Sequence, residues 1–170
     1  MPEARFTVTV NVEPDRGAAP AAPWDGSSVA GLLVKAEEER RYTLVVAYPA
    51  DKADAAVAAD GYRDFASKAA VEDAAWSYLT KSPHVGLWHA DGTDGAGQVV
   101  ESYVYRGPDW TVTAADGSTH VVKAGDWLMG IQWTPATWQE VKTGRIGGVS
   151  MQGSAVRRNA PADAVANLRS

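Results

Sequence analysis

Residues 126–138 read Asp-Trp-Leu-Met-Gly-Ile-Gln-Trp-Thr-Pro-Ala-Thr-Trp and predict a strand that passes directly into a helix. The first eight of these residues are mostly apolar, which favours a strand. Thr134 then offers the hydroxyl of a helix N-cap, and Pro135 occupies the first helical position. Gly144 stands where the C-terminal end of such a helix is expected. A strand at 126–133 and a helix that ends before Gly144 are therefore predicted.

Further strand signals surround this unit. Apolar and polar residues alternate from Arg5 to Glu13, and an apolar run in Tyr42 to Tyr48 stops at Pro49. Residues Ser28 to Glu39 fit either a short strand or a helix. The remaining predicted strands are Val85 to His89, Gln98 to Arg106, Trp110 to Thr113, Thr119 to Lys123 and Ile146 to Gln152. The Asp-Gly pair between Thr113 and Thr119 predicts a hairpin.

One long segment, Gly61 to Lys81, carries the best helix signal of the chain. Its apolar residues recur at helical spacing, and Ser82-Pro83 is expected to end it. The residues taken as its apolar side are Phe65, Ala69, Trp76 and Leu79. Together these signals predict an α+β fold, a mainly antiparallel β-barrel or curled sheet of about seven strands with two or three packed helices.

Composition excludes several classes of function. The chain has 170 residues, a net charge of −5 and no cysteine. The negative net charge and the lack of a dense basic stripe argue against electrostatic binding of nucleic-acid phosphates. The lack of cysteine excludes disulfides, thiolate metal sites and cysteine nucleophiles. No segment is long and apolar enough to suggest a membrane span or a signal peptide, and no metal or phosphate-binding motif is present. A soluble, intracellular protein without a cofactor is expected.

Histidine is the side chain best matched to proton transfer near neutral pH, and the chain has three. His89 ends an apolar strand and precedes a glycine-rich loop, a good place for a rigidly held base, although a histidine satisfied at a strand edge fits the same pattern. His84, at the entry to that strand, is interpreted as a loop histidine that could orient another group. His120, in the hairpin, is interpreted as a surface residue.

Ser150 is the candidate nucleophile. It lies in Gly147-Gly148-Val149-Ser150-Met151-Gln152-Gly153, where glycines leave a hydroxyl uncrowded and allow another backbone to approach. The spacing Gly-x-Ser-x-x-Gly differs from the elbow of α/β-hydrolases, and a small strand residue packed under a helix is the alternative.

Glu101 is the candidate third member of the site. Strand alternation places it on one face with Val99 and Tyr103, in partly buried surroundings where it needs a partner. A histidine is one such partner, because a hairpin formed by the glycine loop would pair the His89 strand with the Glu101 strand. An exposed strand carboxylate is the alternative.

Three segments in this order resemble the XkdF-type phage serine proteases: Gly86-Leu87-Trp88-His89, Val99-Val100-Glu101-Ser102-Tyr103-Val104 and Gly148-Val149-Ser150-Met151-Gln152-Gly153. Residues 127–131, the Trp138 helix and residues 142–146 extend the similarity, which covers residues 40–158. This family is related to the prohead proteases of tailed phages and, more distantly, resembles herpesvirus assemblin. The segment before residue 40 departs from the pattern.

The resemblance implies an assemblin-like barrel and a prohead maturation protease. Ser150 would be the nucleophile, His89 its base, and Glu101 the third member, with His84 in reserve. The N–H group of Met151, or Arg157 and Arg158, would bind the oxyanion, although this arginine pair follows the serine more closely than the pair in assemblin does.

Phage scaffold and major capsid proteins would be the substrates, held partly by extended-strand pairing. The chain would also cleave itself, inside the procapsid in the host cytoplasm. Contacts between copies in a homo-oligomer could switch the activity on. No nucleic acid, membrane, metal or cofactor is implied. Residues 1–39 would be an N-terminal strand and linker of the same domain, residues 40–158 the protease domain, and residues 159–170 a flexible tail.

Two other functions remain open at this stage. An inactive relative could keep the barrel and act as an internal scaffold or a minor virion protein. Alternatively, a β-domain could bind a ligand through exposed tryptophans, since the chain has seven. Core packing is the expected arrangement for the five in the β half, and it would count against the second alternative. These five are Trp88, Trp110, Trp127, Trp133 and Trp138.

Overall fold

A computed structural model describes residues 9–13, 30–37, 40–53, 63–81, 83–87, 93–113, 117–152, 160 and 165–166. These residues contain two α-helices of a full turn or more, α1 (Lys68–Lys81) and α2 (Pro135–Lys142). The strands among them are β1 (Thr9–Glu13), β2 (Ala30–Glu37), β3 (Tyr42–Tyr48), β4 (His84–Val85), β5 (Gly97–Val104), β6 (Trp110–Thr113), β7 (Thr119–Val122), β8 (Trp127–Trp133) and β9 (Gly148–Gln152).

Seven of these strands form the main sheet, in the order β1-β4-β5-β8-β3-β2-β9. All of its pairings are antiparallel except that between β1 and β4. That exception is a single pair, Val10 with Val85, and it brings the two ends of the curled sheet together. The predicted α+β class with mainly antiparallel strands is confirmed, and closure of the sheet depends on this one pair.

The sheet is covered on its outer side by a hairpin. Strands β6 and β7 pair antiparallel, as the Asp-Gly signal predicted, and Gly117 adopts a positive φ of 83° at the turn. An outer cluster of buried side chains joins the hairpin to β3 and β8. Its members are Leu44, Val46, Val112, Val122 and Leu128.

Strand β8 is the centre of the molecule because both of its faces are covered. Its inner face contributes four large residues to the main core, while Leu128 on its outer face lies beneath the hairpin. Those four residues are Trp127, Met129, Ile131 and Trp133. Two-sided burial explains why this segment of sequence is a nearly continuous apolar run rather than an alternating one.

The two tryptophans of β8 bury their indole N–H groups, and each N–H donates a hydrogen bond to a side-chain hydroxyl of a neighbouring strand. The indole N–H of Trp133 donates to Thr43 Oγ1 at 2.9 Å, and that of Trp127 donates to Ser102 Oγ at the same distance. An unpaired buried N–H is costly, so each hydroxyl also fixes how its strand lies against β8. The tryptophan packing expected from the sequence is confirmed for Trp127, Trp133 and Trp138, whereas Trp110 is 38% exposed and Trp88 lies outside the described residues.

Helix α1 is shorter than predicted. Its first residue is Lys68 rather than Gly61, and Phe65 precedes it in a non-helical segment. The reason is a local cap, because Ser67 Oγ accepts a hydrogen bond from the N–H of Ala70 at 3.3 Å. The predicted end of the helix is confirmed at Lys81.

The buried face of α1 also differs from the prediction. Its core residues are Val71, Ala75 and Tyr78, whereas Trp76 and Leu79 are 56% and 42% exposed. Two apolar stripes on this helix have the same period, and contacts across the core select between them. The Tyr78 ring packs edge-on against Trp127 with centroids 5.5 Å apart.

Helix α2 follows the sequence prediction closely. Thr134 is its N-cap, and the Thr134 hydroxyl accepts from the N–H of Thr137 at 3.2 Å. Pro135 is the first helical residue, and Gly144 adopts a positive φ of 74° just beyond the end. All of these signals are local, which is why the sequence alone was sufficient.

A buried carboxylate connects the start of β8 to the end of β3. Asp126 is 2% exposed, and its two oxygens accept hydrogen bonds from the N–H groups of Ala50 and Lys123, each at 2.9 Å. These two bonds hold the turn that leads into β8 against the segment that follows β3. Asp126 is therefore a structural residue on which the position of β8 depends.

We expect Asp126→Ala to lower the free energy of unfolding by roughly 2 to 5 kcal/mol, because two backbone N–H groups lose their acceptor. Urea denaturation followed by tryptophan fluorescence measures this change. The exposed Asp109→Ala is the matched control and should change stability by less than about 0.5 kcal/mol. Equal stability of the two variants would contradict the structural role of Asp126.

Candidate functional site

Ser150 occupies the middle of β9. Its backbone pairs with Asn11 of β1 on one side and with Ala30 of β2 on the other. The preceding residue, Val149, is 1% exposed, and the following residue, Met151, is partly buried against the main core. Strand β9 is therefore anchored in the core on both sides of the serine, and neither of its edges is free.

The predicted hairpin on the other side of the site is confirmed. Strand β4 pairs antiparallel with β5, through His84 with Gln98 and Val85 with Gly97. The predicted strand of residues 85–89 is shorter, because β4 ends at Val85. His89 lies outside the described residues, four positions after Val85.

Backbone and side-chain hydrogen bonds hold the two ends of the segment that contains His89. The carbonyl of Val85 accepts from the N–H groups of Gly95 and Ala96, each at 3.1 Å. One step further, the Thr93 hydroxyl accepts from the N–H of Leu87 at 2.8 Å and donates to the Leu87 carbonyl at 3.1 Å. Sequence analysis did not identify Thr93, and its only signal there was a hydroxyl within a glycine-rich loop.

The order of strands relates the two halves of the candidate site. Strand β1 pairs with β4 on one side and with β9 on the other, so Val85, Val10 and Met151 form one row across the sheet. Two strand spacings separate the backbones of β4 and β9 in this row, which is roughly 10 Å. The strand that leads to His89 and the strand that carries Ser150 are thus brought close by one intervening strand.

Glu101 lies elsewhere, and the alternative of an exposed strand carboxylate applies to it. A β-bulge between Val99 and Glu101 inserts Val100 as an extra residue opposite β8. The bulge reverses the alternation: Val99 packs against the main core, whereas Glu101 and Tyr103 are exposed. In the strand order, β5 is three positions from β9. The structure therefore does not bring Glu101 to Ser150.

The partner of Glu101 is a tyrosine rather than a histidine. The hydroxyl of Tyr42 donates to Glu101 Oε2 at 2.6 Å across the outer face of the sheet. Gly130 lies beneath this contact, where a Cβ atom would come within 2.8 Å of Glu101 Oε2 and 2.9 Å of the Tyr42 ring. The glycine is required because it leaves room for the pair to lie flat on β8.

His84 is exposed and opens β4. Its carbonyl accepts a hydrogen bond from the hydroxyl of Tyr78 at 3.0 Å, which connects α1 to β4. Burial raises the pKa of the Tyr78 hydroxyl well above its usual value, so this group remains a donor at any working pH.

A serine and a histidine do meet within the described residues, but in the hairpin. Ser118 Oγ lies 2.7 Å from His120 Nε2. His120 is exposed, as the sequence predicted, and the two residues are separated by one position at the hairpin turn. This pair was not anticipated from the sequence. It provides a matched control for any test of Ser150 and His89.

Of the predicted oxyanion donors, Met151 follows Ser150 in β9 and pairs with Val10 of β1. Arg157 and Arg158 lie outside the described residues. Within the described ranges, no group of three or more His, Asp and Glu side chains is arranged to hold a metal ion.

A family model described as "Putative phage serine protease XkdF" matches residues 29–159. The chain belongs to the XkdF family. The match includes β2, which precedes residue 40, where the resemblance noted in the sequence begins. It also includes Ser150, His89, Glu101 and the Arg157-Arg158 pair.

Two curated relatives come from Bacillus subtilis (strain 168). The protein named "Phage-like element PBSX protein XkdF" is 32% identical over 126 residues, which are 73% of this chain and 41% of the relative. "Uncharacterized protein YqbD" is 32% identical over 124 residues, which are 73% of this chain and 34% of that relative. The chain thus spans less than half the length of either protein.

No solved structure matches the chain significantly. Neither α1 nor α2 has the length and apolar character that a membrane-spanning helix needs, and the same holds throughout the described part of the chain.

The outer-face cluster around Glu101 makes a titration prediction. Burial raises the pKa of the Tyr103 phenol, and the charges of Glu101 and Tyr105 raise it further. A nearby negative charge disfavours the tyrosinate, so Glu101→Gln should lower the pKa of Tyr103. NMR titration of ring-labelled tyrosine measures the shift, with Glu140→Gln on α2 as the control. An unchanged Tyr103 pKa in Glu101→Gln would show that the two groups do not interact.

Proposed function

We propose that this chain is a serine endopeptidase in which Ser150 is the nucleophile and His89 is the general base. The observation that carries the proposal is the strand order β4-β1-β9, which brings the strand leading to His89 within two strand spacings of Ser150. Membership of a family described as phage serine proteases supports the same chemistry.

The reaction would proceed by acyl transfer. Ser150 Oγ attacks the carbonyl carbon of the scissile peptide bond while His89 accepts the serine proton. The tetrahedral intermediate then expels the amine, which receives that proton from the His89 imidazolium, and an acyl-enzyme remains. Water, activated by the same imidazole, adds to the acyl carbon, and Ser150 departs with its proton restored. Every proton is returned, so the cycle needs no cofactor.

The third member of the site is better assigned to His84 than to Glu101. Glu101 lies three strands from β9 on the outer face, where its carboxylate already accepts from Tyr42. His84 is one strand nearer, on the strand that leads to His89, and its side chain is exposed. Its imidazole would orient the His89 ring and share the positive charge that develops during the reaction.

Stabilisation of the oxyanion would come from backbone N–H groups. The N–H of Met151 is adjacent to the nucleophile, and Arg157 and Arg158 follow it within eight residues. One well-placed donor in such a site is worth on the order of 100- to 1000-fold in rate. We therefore include these three residues in the proposal.

The substrate has to reach Ser150 without pairing with β9, because β1 and β2 occupy both edges of that strand. Extended-strand pairing of the substrate would therefore involve a strand other than β9. A flexible peptide that crosses the sheet over one face satisfies the geometry. Such segments are typical of exposed linkers. From the family resemblance we propose scaffold and capsid proteins of a phage as substrates, cleaved inside the procapsid in the host cytoplasm.

The family resemblance is the basis on which we also propose an assemblin-like barrel for the seven-stranded sheet. A ligand-binding domain that uses exposed tryptophans is less well supported, because Trp127, Trp133 and Trp138 are each at most 4% exposed. The two exposed tryptophans of the described residues, Trp76 and Trp110, lie on separate elements, α1 and β6. An inactive scaffold protein would keep the same barrel and differ only in chemistry. Reactivity of Ser150 therefore separates the enzyme from the scaffold.

A fluorophosphonate tests this proposal, because it forms a phosphonyl ester with a serine that has a base beside it and loses fluoride. We expect stoichiometric labelling at Ser150, located by peptide mass spectrometry. Ser150→Ala should abolish the label, and His89→Ala should slow labelling by at least about a thousandfold. The hairpin pair supplies the controls: Ser118→Ala and His120→Ala should be labelled at the rate of the unaltered protein.

Labelling that persists in Ser150→Ala and disappears in Ser118→Ala would refute the proposed site. A folded protein that reacts at neither serine, and that leaves phage scaffold protein intact, would favour the inactive relative.

A further inference from the structure

Within the described residues, a side chain as well as backbone pairs holds the connection between β4 and β5. Beyond the regular pair of Val85 with Gly97, the Thr93 hydroxyl contacts the backbone of Leu87. This hydroxyl accepts from Leu87 N–H and donates to Leu87 C=O, at 2.8 and 3.1 Å. Thr93 thus supplies, from one atom, both partners that an opposite residue in an antiparallel ladder would supply.

The hydrogen bonds between Leu87 and Thr93 connect the two residues that flank residues 88–92, and His89 is the second of those five residues. Two further sets of hydrogen bonds hold the carbonyl groups of β4, the strand that precedes Leu87. Val85 C=O accepts from Gly95 and Ala96, and His84 C=O accepts from the Tyr78 hydroxyl. Loop ends that are held close restrict the conformations of a short connection. The Thr93 contact lies closest in sequence to the histidine.

From this geometry we infer that Thr93 is a positioning residue, whose hydroxyl fixes the place of His89 relative to Ser150. The inference rests on the proposed role of His89 as general base. It adds a residue that contacts neither the substrate nor the reacting atoms and that acts through the backbone of Leu87. Displacement of a catalytic group by about 1 Å can cost on the order of a hundredfold in rate, so one such contact is significant.

The test compares Thr93→Val with Thr93→Ser. Valine keeps the shape of threonine but removes the hydroxyl, whereas serine keeps the hydroxyl and removes a methyl group. Labelling kinetics with a fluorophosphonate give two constants, the half-saturating concentration KI and the maximal rate kinact. We expect Thr93→Val to lower kinact ten- to a hundredfold with KI unchanged within twofold. Thr93→Ser should restore kinact to within about threefold of the unaltered protein.

A matched control is Thr80→Val in α1. Its hydroxyl also makes two hydrogen bonds with backbone carbonyls, those of Trp76 and Ser77, but neither bond involves β4 or the connection to β5. A general loss of stability would appear in both valine variants and is monitored by thermal unfolding. A selective fall of kinact in Thr93→Val, reversed in Thr93→Ser, supports positioning.

The outcomes separate this inference from the function on which it rests. If the unaltered protein is labelled at Ser150 and Thr93→Val reacts with the same kinact, the positioning role is overturned while the protease proposal stands. If kinact falls equally in Thr93→Val and Thr93→Ser, the hydroxyl is not the cause and the inference is also overturned. If the unaltered protein is not labelled, both proposals fail together. Should Thr93→Val not fold, Thr93→Ala gives the same comparison with less crowding.

Discussion

Burial of β8 on both faces is the constraint on which the rest of this structure depends. Its inner side chains fill the core between the sheet and α1, and its outer side lies against the hairpin β6–β7. Because β3 and β5 pair with its two edges, the strand fixes the register of half the main sheet. Asp126 secures the turn into β8, and the indole groups of Trp127 and Trp133 secure its neighbours.

The candidate site lies on the opposite part of the strand order from β8. There β1 connects β4 to β9, and through it the segment leading to His89 approaches Ser150. Both sides of the site are anchored by buried residues, Val85 on β4 and Val149 on β9, each at most 1% exposed. An anchored pair of strands with a short connection above one of them is a good support for catalytic groups, since precise placement requires a rigid scaffold.

Sequence patterns predicted the features that depend on neighbouring residues and missed those that depend on distant ones. Thr134, Pro135 and Gly144 define α2 through contacts within a few residues, so the helix could be predicted. The bulge at Val100 arises from pairing with β8 and is invisible in an alternating pattern, which is why Val99 and Glu101 lie on opposite faces although the pattern predicts one face. The buried stripe of α1 was likewise selected by Tyr78 and its contact with Trp127 across the core.

The central claim is that one serine and one histidine from separate strands meet, and the distance between them tests it most directly. In a crystal structure of the protein, Ser150 Oγ should lie within about 3.5 Å of a ring nitrogen of His89, allowing for the looser geometry of a free enzyme. A separation of more than about 8 Å, with both side chains well ordered, is too long for direct proton transfer and would contradict the account.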